Sequence, residues 1–295
     1  MKKSILVLTA AATLAVWNPV HAQEADTTAA WTKTLVGRLS GAQAGFSNWA
    51  EGGVNTLALT VGLDGKATHE GAKWNQVHEL RFSFGLVRQD TLEVRKAEDL
   101  IRLRSSLKYT AGEGVLAYLQ PTVAAGFRSQ FAPGKNFDKD PLGLGRPLPV
   151  KVSDLFSPAT ITQTVGLTWD PSTWITQRLG FSAKETVVMI DELRPLYGFE
   201  DDQLDQSVRF EAGIEAYTDL EKQLAPNVLY KSTLGLFAAF GSADAPDMIW
   251  ENAIAMKVNS SLNVNFEWTL LYDKDVASEI QAKEVFSVGF SYAFL

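Results

Sequence analysis

The sequence predicts an antiparallel, up-and-down β-barrel of about twelve strands that crosses a membrane. Three observations predict it. The chain ends on a strand with one uncovered greasy face, the same alternation recurs along most of the chain, and the connections between alternating segments are by turns short and long.

The last stretch, Glu284 to Leu295, places Phe286, Val288, Phe290, Tyr292 and Phe294 on one face and Val285, Ser287, Gly289, Ser291 and Ala293 on the other. A period of two is that of a strand. No helical pattern follows to cover the aromatic face, so the expected cover is a lipid bilayer.

At the other end, Lys2 and Lys3 precede an apolar run from Ile5 to Val16, followed by Val20-His21-Ala22, small residues at a signal peptidase spacing. Residues 1–22 therefore read as a cleaved signal peptide, residues 23–33 as a short periplasmic lead and residues 34–295 as the barrel domain. Without Lys2 and Lys3, 25 of the 27 basic residues remain against 34 acidic ones, a net charge of −9. An exported acidic chain is a poor binder of nucleic acid. The absence of cysteine excludes disulfides, thiolate metal sites and thiol nucleophiles. No later apolar run is long enough for a transmembrane helix, which leaves a barrel as the way into a membrane.

The alternating segments follow in order. The first strand is expected near Thr34–Phe46. Leu57, Leu59, Val61 and Leu63 then share a face, as do Leu80, Phe82, Phe84 and Leu86, then Ile101, Leu103, Leu107 and Tyr109, then Val123, Ala125 and Phe127. Further on come Ile161, Val165, Leu167 and Trp169; Ile175, Leu179, Phe181 and Val187; Val208, Phe210, Ala212 and Ile214; Leu234, Leu236 and Phe240; Trp250, Ile254, Met256 and Val258; and Leu262, Val264, Phe266, Trp268 and Leu270. With the terminal strand these make about twelve, an even number as in single-chain bacterial barrels.

Connection lengths are a second signal. Short inner turns are expected at His69–Lys73, Ala111–Gly114, Asp170–Thr173 and Asn259–Ser261, with Asp219–Asn227 an exception. Long outer loops are expected at Gln89–Asp99, Ala132–Pro158, Asp191–Asp205, Gly241–Asp247 and Asp273–Lys283. Trp74, Tyr109, Trp169 and Phe294 fall at inner strand ends and Trp250 and Tyr272 near outer ones, the pattern of two interfacial girdles.

Two motifs carry resemblances. Ser287, Gly289, Tyr292 and Phe294 resemble the C-terminal signal by which outer-membrane barrels are recognised for assembly, with Leu295 as a departure. Asn48-Trp49-x-x-Gly52-Gly53, after Leu39, Ser40, Gln43 and Phe46, resembles the N-terminal signature of an uncharacterised family of outer-membrane β-barrels, a domain of unknown function. The resemblance implies fold and location: the outer membrane of a Gram-negative bacterium, with outer-membrane lipids, lipopolysaccharide and the barrel-assembly machinery as partners. It implies no chemistry.

The residues themselves offer little catalysis. The mature chain has only His69 and His78, both placed at the periplasmic rim, and neither lies in a nucleophile motif. No catalytic residue, cofactor site or metal site is expected. Glu200, Asp201, Asp202 and Asp205 form an acidic outer loop, with hard oxygen ligands but no calcium-loop spacing.

The inward face is more informative. Arg81, Arg102, Arg104, Lys108 and Arg128 come from three consecutive strands and should form one basic wall. Glu211, Glu215, Glu251 and Glu267 come from later strands across the barrel, where Arg209, Lys231 and Lys257 dilute them. Opposed walls would set a transverse field that orients small polar solutes. The function expected is a passive pore or binding protein for such solutes; the alternatives are a closed structural or partner-docking barrel and, last, a lipid-modifying enzyme.

Overall fold

The structure is a computed structural model that describes residues 31–45, 54–90, 92–241 and 245–295. The signal peptide and the Asn48, Trp49, Gly52 and Gly53 motif lie outside the described residues. Twelve strands close into one antiparallel ring: β1 (Thr32–Ala44), β2 (Thr56–Glu70), β3 (Trp74–Gln89), β4 (Arg95–Tyr109), β5 (Gln120–Ser129), β8 (Ala159–Ser172), β9 (Ile175–Val187), β10 (Val208–Ala225), β11 (Val228–Ala239), β12 (Asp247–Lys257), β13 (Leu262–Asp273) and β14 (Ala277–Ala293). The two remaining strands, β6 (Gly134–Asn136) and β7 (Val150–Ser153), form a small hairpin within the β5–β8 connection.

The barrel is inside out relative to a water-soluble protein. Val165 is 63% exposed, while its neighbour Thr164 is 2% exposed and bonded to Ser182 and Glu215. The same contrast runs round the ring: Phe181, Phe210, Phe286 and Phe290 are exposed, and Thr122, Thr168, Ser182 and Lys184 are buried. Closing the ring leaves no unpaired sheet edge, so every strand can lie in hydrocarbon without an orphaned backbone group. Asn252 is a polar residue on the outward face. Tyr230 Oη donates to its Oδ1 over 2.8 Å, and Tyr230 stacks with Trp268 at 6.3 Å between centroids.

The seam joins β1 to β14 over Val36–Gly41 and Val288–Ala293. Gly289 pairs with Ser40 there, and a Cβ on it would stand 2.4 Å from the Leu39 carbonyl oxygen. Ser287 pairs with Asn265 on the other side of β14, and Tyr292 packs edge-on against Phe294 at 5.0 Å. The Phe294 amide donates to the Leu35 carbonyl over 2.8 Å. Ser287, Gly289 and Tyr292 of the C-terminal motif thus sit on the closing strand, and Phe294 directly follows its last residue.

Strand number and face agree with the alternation, but several boundaries move. β1 starts at Thr32, two residues before the expected first strand. At the end of the barrel that holds Thr32 and Ala293 (the terminal end), the connections are 71–73, 110–119, 173–174, 226–227 and 258–261. The expected short turn at Ala111–Gly114 is longer because it holds a 3-10 turn, Gly114–Ala117, and the expected exception before Asn227 disappears because β10 runs on to Ala225. At the opposite, loop end, the expected long loops Gln89–Asp99 and Asp273–Lys283 shrink to 90–94 and 274–276. The physical reason is that greasy alternation marks only the lipid-buried part of a strand. The hydrogen-bond ladder continues past that part, as at Glu279, Gln281 and Lys283 of β14.

The two long loop-end connections, 130–158 and 188–207, pack into a cap. Val188, Leu193 and Phe199 form its small core. Arg194 donates to the carbonyls of Val188 and Leu204, and the Ser157 hydroxyl accepts from the amides of Met189 and Ile190. Tyr197 Oη donates to the Val152 carbonyl over 2.7 Å, tying one loop to the other.

Candidate functional site: a bridged, charged lumen

Strand register brings the basic residues together more tightly than sequence spacing suggests. Asp64 on β2 pairs with Arg81 on β3, Arg81 with Arg102 on β4, and Arg102 with Arg128 on β5, so three arginines lie in one cross-strand row. Like charges directly opposite repel, and this row needs an anion to stand. Two carboxylates from the far side supply it. Glu251 on β12, six strands round the ring from β4, accepts from Arg104 Nη2 at 3.0 Å and Arg128 Nη1 at 2.9 Å, and also from Arg102. Glu267 on β13 accepts from Arg38 Nη1 at 3.0 Å and from Arg81. Arg38, on β1, also meets Asp64 at 2.6 Å.

The other expected lumen residues fall elsewhere. Lys108 leaves the basic wall for the terminal end, where it pairs with Asp170 on β8. Glu215 is held by Arg178 at 2.7 Å, Thr164 at 2.6 Å and Ser182 at 3.3 Å. Glu211 pairs with Lys184 at 2.9 Å and Arg209 at 3.2 Å. Neither therefore faces the arginine row. Lys184 also reaches Asp247 and Asp273, and Arg209 reaches Asp275. Lys231 pairs with Glu221 at 3.1 Å.

These contacts change the expected field. Across the barrel, opposed charges are neutralised by direct pairing, because an arginine and a glutamate together span a lumen of this size. The imbalance that remains runs along the axis. Around Glu251, three guanidiniums meet one carboxylate. Nearer the loop end, Lys184 and Arg209 meet four carboxylates, those of Glu211, Asp247, Asp273 and Asp275.

One cavity of about 850 Å³ occupies the lumen. Its lining runs from Lys66 and Thr68 at the terminal end, past Arg102, Arg104 and Arg128, to Asp247 and Asp273 and to Tyr197 of the cap. Tyr217 projects into it between two guanidiniums, 5.4 Å from Arg104 and 4.6 Å from Arg178 to the ring centroid. Burial pushes the Tyr197 phenol up to about 12.

Sequence reasoning missed Arg38, Asp64, Tyr217 and Asp247. Each lies on the polar side of its strand's alternation, which was the available signal, but each is isolated in sequence and gains its partners only across strands. It also missed a pair on the outward face: the His78 ring Nδ1 lies 2.9 Å from Ser105 Oγ. His78 and Ser105 are direct cross-strand neighbours on β3 and β4, with Trp31 stacked on the His78 ring at 5.6 Å. His69 belongs to β2, not to a turn, and its ring meets Trp31 at 5.1 Å. In the cap, Glu200, Asp201 and Asp202 lie at a 3-10 turn where Glu200 and Gln203 form a capping box, so backbone amides already occupy part of the acidic loop.

A family model described as a protein of unknown function (DUF3078) matches residues 42–134. No match was found among curated protein sequences. Among solved structures, the translocator domain of the autotransporter NalP from Neisseria meningitidis aligns at TM-score 0.38 and 11% identity, over 89% of this chain and 87% of that one. The COG4313 outer membrane channel from Pseudomonas putida F1 aligns at TM-score 0.37 and 12% identity, over 92% and 96%. The NanC porin aligns at TM-score 0.30 and 8% identity, over 88% and 97%. The fold of this chain is a closed twelve-stranded antiparallel barrel with an apolar outside and a charged inside, the architecture of outer-membrane proteins.

Proposed function

We propose that the protein is an outer-membrane passage for small polar solutes, with both strand termini in the periplasm and the Arg–Glu bridges as its constriction. The observation that carries this reading is the cavity of about 850 Å³, which borders charged groups from the terminal end to the cap. A structural filler would be served by a packed interior, and desolvating so many ionised groups is costly unless water or solute reaches them. On this reading the barrel is not an enzyme. Its partners are outer-membrane lipids, lipopolysaccharide, the assembly machinery and the solutes.

Planar-bilayer recording of the refolded protein tests the proposal. The expected result is a small, stable conductance with a low solute-size cutoff in liposome swelling. A second reading, a closed structural or docking barrel, is favoured by the bridging of Glu251 to the opposite wall. A correctly folded barrel with neither current nor swelling would establish that reading instead.

A further inference from the structure

The bridge at Glu251 is asymmetric in charge and in exposure to the cavity. Arg102, Arg104 and Arg128 all line the cavity, whereas Glu251, which they share, is not part of the lining. The carboxylate presents two oxygens, and both are taken: Oε1 by Arg128, and Oε2 by Arg104 and Arg102. Three guanidiniums carry many more N–H donors than one carboxylate can accept. Of the carboxylates nearest them on the cavity wall, Glu215 is paired with Arg178, whereas Glu79, the cross-strand neighbour of Arg104, and Asp219 set part of their charge against Arg104, Glu79 being shared with Lys66 at 3.6 Å. Arg102 and Arg128 keep an excess of positive charge over the one carboxylate they share, on forks that border the cavity.

We infer that Arg102, Arg104 and Arg128 form a binding site for a small oxyanion, and that Glu251 is its built-in occupant, filling one anion position and leaving another for the ligand. Guanidinium forks match carboxylate and phosphoryl oxygens in pairs, and an anion balances the uncompensated charge. Arg104, held over the Tyr217 ring, is fixed in orientation before the ligand arrives. The ligand enters through the same lumen as the proposed function requires, and to that extent the inference rests on that reading.

The test measures binding separately from flux. Inorganic phosphate, and malonate in a second arm, are titrated by calorimetry into the refolded full chain in detergent. The expected result is saturable binding that Glu251→Gln tightens about tenfold and Arg104→Gln or Arg128→Gln weakens about tenfold, the scale of one charge-assisted hydrogen bond. Lys135→Gln, on an exposed loop strand, leaves it unchanged. Malonate binding without phosphate binding assigns the site to carboxylates, and the reverse assigns it to phosphoryl groups. Binding that ignores the arginine changes, or is absent from both wild type and Glu251→Gln, overturns the inference. If Glu251→Gln fails to refold, Arg128→Gln in the wild-type background decides, since that side chain is the most exposed of the three. Binding without conductance leaves the anion site standing and removes the passage. Conductance without binding does the opposite.

Discussion

Arg104 on β4 and Glu251 on β12 stand six strands apart in a ring of twelve, at diametrically opposite positions, and their side chains still meet at 3.0 Å. The interior is therefore neither a wide aqueous channel nor an apolar core. It is a lumen narrow enough for charges on opposite walls to neutralise one another, beside a cavity that part of them line.

That bridge makes a charge-reversal prediction. Arg102→Glu with Arg104→Glu places two carboxylates against Glu251 and leaves Arg128 as its remaining partner. Breaking buried pairs of this kind costs about 3–5 kcal/mol, somewhat less where water reaches them. Urea titration in lipid vesicles should show the loss. Adding Glu251→Arg should recover most of it, and failure of that rescue would mean the pairing does not stabilise the fold.

The outward face gives a simpler test. Val165→Arg puts a charge into the lipid-facing wall, at a cost of about 2–4 kcal/mol near the bilayer midplane. Its neighbour Thr164 is buried among Ser182 and Glu215, so Thr164→Ser, which keeps the hydroxyl and loses only a methyl, should cost only about 1 kcal/mol. Equal penalties in refolding titrations would contradict the face assignment.

Closure depends on the short β1–β14 seam. Gly289→Val forces a side chain against the Leu39 carbonyl and Ser40, and the seam must open to accommodate it. Deleting Tyr292–Leu295 removes the strand end that bonds Leu35. Both changes should abolish the heat-modifiable folded band in cells, and a stable inserted deletion variant would refute the role given to this strand.

The cap should loosen in alkali. The folded-state value of Tyr197 is raised from an ordinary 10.0 to about 12, so the protonated phenol favours the folded cap. Its contribution is complete below pH 10 and is lost as pH rises from there through about 12. Protease cleavage within 188–207 should accelerate across that window in wild type and stay flat in Tyr197→Phe, which has no proton to lose.

At the acid end the sign reverses for Asp140. Its carboxylate accepts from Arg146 Nη2 at 2.6 Å and from the amides of Leu142, Leu144 and Arg146, which hold it well below the usual carboxylate range. The contribution is complete above the ordinary aspartate value and vanishes only as pH falls through the lowered one. Limited proteolysis of 136–146 should be as slow at pH 4 as at pH 7, and faster at both in Asp140→Asn.

Much of the fold was legible because lipid and lumen impose opposite preferences on successive residues. Leu57, Leu59 and Val61, or Val208, Phe210 and Ile214, announce their strands and faces without any partner in view. The pattern lost its authority beyond the bilayer. Polar β14 residues such as Glu279 and Lys283 read as loop, yet the ladder orders them as strand.

The candidate site was legible as composition and not as arrangement. Arg81, Arg102 and Arg128 were readable as inward-facing, but their place in one row depends on strand register, which a single sequence does not specify for a barrel. The long reach of Glu251 and Glu267 depends on barrel diameter, and the absence of Glu211 and Glu215 from the arginine row depends on which neighbour reaches them first.

The sequence by itself determined the number of barrel strands and the sign of each face, because these follow from the two-residue period of side chains meeting either lipid or water. Only the tertiary structure decided which charges touch. Pair energies fall steeply with distance, and distances across a closed ring are set by register, tilt and circumference, properties of the whole sheet rather than of any one strand.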